Sequence, residues 1–121
     1  MRTNSKKNVD IDWKVIAVAE MEDRDKPELV IQYHSLGFEK YGFGGEIYVY
    51  DKVCNARKVM RLINLVGEFF IRGDELAEDN RHIVDKKNGE PKFIFDIGRG
   101  KNEFGDDCIF VKPIYYDPAV D

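Results

Sequence analysis

The sequence predicts an α+β domain in which a mostly antiparallel sheet of five or six strands packs on one principal helix. Three observations carry this expectation. A sustained helical period occurs in one stretch, Asp51 to Gly73. There Val53, Ala56, Met60, Ile63, Gly67 and Phe70 step by three or four residues along one stripe, with Val59, Leu62, Val66 and Phe69 beside them. The flanking stretches are short β-branched or alternating runs separated by Gly, Pro, Asn and Asp. Finally, 121 residues that are 43% hydrophobic and 12% aromatic suffice for one core without staples.

Residues 1–10 are polar and aperiodic and read as a loose arm before a single domain spanning 11–121. Trp13 to Glu20 is β-branched and nearly continuous, which predicts a strand buried on both faces. A charged turn containing Pro27 leads to a second strand, Glu28 to Leu36, and the two read as an antiparallel hairpin. Gly37 to Gly45 holds four glycines, implying positive φ angles or close backbone approach. Glu46 to Tyr50 is the third strand, Asp51 the expected N-cap, 52–72 the helix, and Gly73 its stop. After an acidic connection, Arg81–Asp85 reads as a short edge strand, Asn88-Gly89 as a tight turn and Lys92–Ile97 as a clear strand. Gly98 to Asp107 reads as a second glycine-bearing loop, and Cys108–Ile114 as the last strand, with Pro113 marking an edge or an end. The expected order is β-β-β-α-(β)-β-β.

Charge and composition narrow the function classes. A net charge of −4 and a pI near 5.2 argue against a nucleic-acid-backbone binder. No apolar run reaches membrane-spanning length and Met1 to Asn8 lacks a signal-peptide core, so the expected compartment is the cytoplasm. Cys54 and Cys108 have no metal-like spacing and read as free thiols. No residue set has the spacing of a catalytic or metal site, and no cofactor is expected.

Chemistry concentrates in two places. His34, Ser35, Gly42, Gly44 and Gly45 from the first glycine loop, with Arg99 and Lys101 from the second, are candidates for holding a small phosphorylated ligand. The plain alternative is an ordinary strand connection, since Gly98-Arg-Gly-Lys101 matches neither the P-loop nor the dinucleotide fingerprint. Arg57, Lys58 and Arg61 make the helix's outer face basic. That face is either merely solvated or a dock for an acidic partner. Tyr48, Tyr50, Tyr115 and Tyr116 fall in or near strands, where alternation turns some outward.

Trp13-Lys-Val-Ile, His34-Ser-Leu-Gly-Phe38, Tyr41-Gly-Phe-Gly-Gly-Glu46 and Ile63-Asn-Leu-Val-Gly67, followed by Arg72-Gly73, occur in a telling order. In this order and spacing, residues from about Trp13 to Leu76 resemble the bacterial and phage domain-of-unknown-function family four-two-six-two. His34 and Ser35 stand where that family has Tyr and Thr, and Phe43-Gly44 stands where it has His-Pro. The resemblance implies a compact bacterial or phage domain whose distinctive surface is the loop from Ser35 to Glu46.

Two functions follow as expectations. The first is a small cytosolic binding protein, an inhibitor, immunity or accessory factor, acting through a protein partner or self-association. The alternative is a small-ligand or nucleotide-binding domain, possibly enzymatic, that uses both glycine loops. Convergence of those loops on a pocket with a buried His34 would favour the second.

Overall fold

The computed structural model describes residues 11–74, 76 and 81–120. The expected arm (1–10) and most of the acidic connection (75, 77–80) lie outside the described residues. Strands β1 (Lys14–Val18), β2 (Val30–Leu36) and β3 (Glu46–Lys52) precede helix α1 (Ala56–Arg72), and β4 (Arg81–Asp85), β5 (Pro91–Lys101) and β6 (Asp107–Tyr116) follow it. They form one sheet in the order β1-β2-β3-β6-β5-β4. Every pair is antiparallel except β3–β6, where Glu46, Ile47 and Tyr48 run parallel to Cys108, Ile109 and Phe110. The expected architecture is therefore present, with one parallel joint at its centre.

Strand alternation sorts side chains onto two faces. Ile31 and Tyr33 of β2, Ile47 and Val49 of β3, Ile109 and Val111 of β6, and Phe93, Phe95 and Ile97 of β5 face α1 and are buried. From the helix, Val59, Leu62, Ile63 and Val66 meet them, each essentially solvent-free. Full burial of such a side chain is worth about 1.5–3 kcal/mol, so this row supplies much of the fold's driving force. Gly73 ends the helix at φ +84°, where its N–H and that of Asp74 reach the carbonyls of Phe70 and Phe69.

Trp13 closes one end of the core. Its ring meets Phe38 edge-on at 5.2 Å, and its Nε1 donates to Asn64 Oδ1 at 2.9 Å. Gly67 makes this possible, because a Cβ there would stand 2.6 Å from the indole Cζ2.

Six expectations are corrected. Pairing of Val30 with Lys52 extends β3 past Asp51, so the helix starts at Ala56 after a 3-10 turn at Val53–Asn55. Asp51 is not its N-cap; its carboxylate accepts instead from Asn55 Nδ2 (3.1 Å) and the Tyr116 hydroxyl (2.8 Å). The β1 strand is an edge, with Ala17 and Val18 exposed rather than buried. Met60 leaves the buried stripe and is 44% exposed. Gly98 to Lys101 is strand, not loop, paired along its whole length with β6. Pro113 lies in an inner strand, paired with Phe95 of β5 at a stretch where β6 has lost β3 as a neighbour and a bulge skips Ile114.

Substituting Gly67→Ala tests the Trp13 joint. Helix propensity alone favours alanine by about 1 kcal/mol, yet the clash with the indole outweighs it by roughly 1–3 kcal/mol. The urea midpoint should fall; an unchanged or raised midpoint would show that Trp13 does not sit against α1.

Candidate functional site

The first glycine loop is organised by a carboxylate from its own far end. Glu46 accepts from the backbone N–H of Gly37 (3.1 Å), Phe38 (3.0 Å) and Glu39 (3.2 Å), and from Ser35 Oγ at 2.7 Å. Ser35, fully buried, accepts in turn from the Ile47 N–H at 2.8 Å. A row of converging N–H groups is what an incoming anion would need, and here Glu46 already occupies it. Downstream, Gly45 (φ +115°) presses against β6, since a Cβ there would fall 2.0 Å from the Asp107 carbonyl oxygen. The glycine admits the parallel β3–β6 contact.

The expected ligand-binding residues separate into groups. Gly44, Arg99 and Lys101 do come together, with Gly100, Asp107 and Cys108, around a depression of about 370 Å³. Arg99 Nη1 donates to the Phe43 carbonyl, and its guanidinium stands 5.7 Å over the Phe70 ring. Lys101 Nζ lies 2.8 Å from Asp107, which holds that carboxyl below its ordinary range and raises the lysine. Gly45 backs onto β6, and Gly42 ends the 3-10 turn at Glu39–Tyr41, with neither lining the depression. Ser35 is buried beneath the loop, while His34 points to the sheet's other face and stacks on Tyr48 at 5.1 Å. The first glycine loop thus meets strand β5 through Arg99, without His34 between them.

Arg57, Lys58 and Arg61 lie on α1, with Arg57, Met60 and Arg61 exposed. Arg61 stands where three shallow grooves adjoin, one of them lined by Lys86, Lys87, Lys92 and Asp117. Lys86 there has Asp117 and Glu90 at 3.4 Å, so that groove carries both signs.

The sheet face opposite the helix exposes a further group of apolar side chains, which no local sequence pattern marks. Ile16 and Val18 of β1, Val30 and Leu36 of β2, Tyr50 of β3, Tyr115 of β6 and Ile83 of β4 all project there by register. Val18, Val30, Leu36, Tyr50 and Ile83 are each between 51% and 58% exposed. Across the middle runs a row of rings, with His34 on Tyr48, Tyr48 against Phe110 at 5.9 Å, and Phe110 stacked with Tyr50 at 6.5 Å. The detectable signal was apolar residues at both parities of the same strands, with one helix to cover one face.

Among the described residues no group of three His, Cys, Asp or Glu side chains is placed to hold a metal, and no helix is long and apolar enough to cross a membrane. Cys54 is an exposed free thiol and Cys108 a buried one, raised by burial and then by Asp107. Comparison with known families, curated proteins and solved structures finds no match.

Two measurements probe these joints. Glu46→Gln puts an amide donor among N–H donors and should cost about 2 kcal/mol; a variant as stable as the parent would remove the carboxylate from its structural role. Burial first, then Asp51 and Cys54, pushes Tyr33 up to about 12, and burial with the Asp51 hydrogen bond raises Tyr116 as well. Folded-state values above the unfolded value of about 10 stabilise the protein fully below pH 10, a contribution lost as pH rises through them. Spectrophotometric titration should therefore find both phenols still protonated at about pH 11 and ionising together with unfolding, with one late step missing in Tyr116→Phe. Early ionisation of both would contradict their placement.

Proposed function

We propose that this chain is a small protein-binding domain that docks through the open face of its sheet, on a protein partner or on itself, working as an inhibitor, immunity or accessory factor. The cytoplasm, and the bacterial or phage setting suggested by the family resemblance, belong to the same proposal. The observation that carries it is the uncovered apolar face. Six strands at about 4.8 Å spacing and five residues at about 3.3 Å give roughly 24 by 17 Å, about 400 Å² in plan. That area takes in Lys14, Lys52, Arg81, Asp96 and Lys112, and the exposed apolar side chains grouped among them are the kind of surface that marks an interaction site.

The charges on the face describe the partner. Lys52 bonds Glu28 at 2.7 Å, and Arg81 bonds Asp96 at 3.1 Å with Lys112 beside that carboxylate across β5–β6. Because two ion pairs cancel most of the charge and only Lys14 and Lys112 are left over, the face suits a largely apolar protein surface better than a strongly charged one. A phosphorylated ligand at the glycine loops has weaker support, since Glu46 fills the N–H cradle and Asp107 holds Lys101.

A photo-crosslinking residue placed at Tyr50 or Val30, expressed in the native host, should give a discrete protein adduct. The same residue in place of Arg61 on the helix should give none. Absence of adducts from the sheet positions, or equal yields from both sides, would reject the open face as the docking surface.

A further inference from the structure

The open face contains a hollow that no side chain of its own fills. Gly98 forms its floor, and a Cβ built there meets nothing within 4 Å. Tyr50 and Phe110 wall it, Asp96 and Lys112 stand at its rim, and the space measures about 420 Å³. Gly100, the next residue of β5 on this face, is different, because a Cβ there would lie 2.9 Å from the Phe110 ring. Gly100 accommodates the chain's own aromatic; Gly98 leaves room for someone else's.

We infer that the occupant of the open face is a second copy of this chain, packed sheet on sheet about a two-fold axis, with the hollow over Gly98 receiving a tyrosine of the other copy. The inference rests on the docking reading above and supplies its partner. Three features of the face support it. A two-fold interface needs one patch that is its own complement, and this patch carries both a hollow and protruding tyrosines, Tyr50 at 52% and Tyr115 at 40% exposure. The internal pairing of Lys52 with Glu28 and of Arg81 with Asp96 removes four charges from the contact, so that Lys14 and Lys112 are the cations two identical faces must seat apart. Two faces of about 400 Å² in plan, stacked about 10 Å apart, bury on the order of 1,000 Å² in total once side-chain relief is included. That reaches the lower limit of specific interfaces and predicts a reversible dimer rather than an obligate one. A phenol is the best-suited occupant: its ring matches the Tyr50–Phe110 walls, and its hydroxyl can donate to Asp96 and accept from Lys112.

Sedimentation equilibrium of the full chain tests this. Gly98→Val fills the hollow at a position with free space and no positive φ, and valine favours a strand, so the fold is retained. The parent and the helix-face control Arg61→Glu should dimerise alike. Gly98→Val should weaken the dimer by about tenfold or more, the loss of one central anchor, and Tyr50→Asp should be monomeric. A monomeric parent, or a Gly98→Val dimer as tight as the parent's, overturns the inference. If the parent is monomeric yet the Tyr50 photo-adduct contains a different protein, the second copy is rejected while the docking face stands. A monomer without an adduct rejects both.

Discussion

A single helix of 17 residues, about 25 Å long, has to serve a sheet six strands wide. It covers one side, where it buries Val59, Leu62, Ile63 and Val66 against the inward residues of β2, β3, β5 and β6. Nothing described covers the other side, and yet Val18, Val30, Leu36, Tyr50 and Ile83 stand exposed there among Lys14, Gln32, Lys52, Arg81, Asp96 and Lys112. Antiparallel sheets that face water on one side usually alternate apolar-in and polar-out. The mismatch between one helix and two apolar faces is the constraint from which the functional account grows.

The polar residues that look most like chemistry serve as joints. Ser35 and Glu46 tie the end of β2 to the start of β3 and hold the intervening loop by three backbone N–H groups. Asp51 links Asn55 and Tyr116, binding the turn before α1 to the end of β6. Each joint satisfies groups that would otherwise be costly to bury. Lys101 and Asp107 form an exposed pair beside the turn of the β5–β6 hairpin. Of the clustered candidates, Arg99 is the residue that ties the first glycine loop to β5, through the Phe43 carbonyl.

The fold was legible where period and punctuation agreed. The α1 stripe and Gly73 marked the helix, and Asn88-Gly89 marked the β4–β5 hairpin, with Gly89 at φ +87°. Reading failed where a residue's role depended on a distant strand. Gly98 and Gly100 suggested a loop, but Gly100 makes room for Phe110 and Gly98 leaves a hollow, both within a paired strand. Pro113 suggested an edge, and it sits in an inner strand whose other neighbour ends early. Asp51 has the chemistry of an N-cap, but cross-strand pairing carried β3 through it. The candidate site was the least legible part, because neither a sheet order nor an uncovered face is written in any local run of residues. Both follow from the topology that places β6 between β3 and β5.

If two copies cover each other's open faces, folding and association are linked by mass action, and the midpoint of thermal unfolding depends on protein concentration. Measuring that midpoint by calorimetry over about a hundredfold range of concentration tests the account most directly. The midpoint should climb steadily with concentration in the parent and stay level in Tyr50→Asp. A parent midpoint that does not move would contradict it.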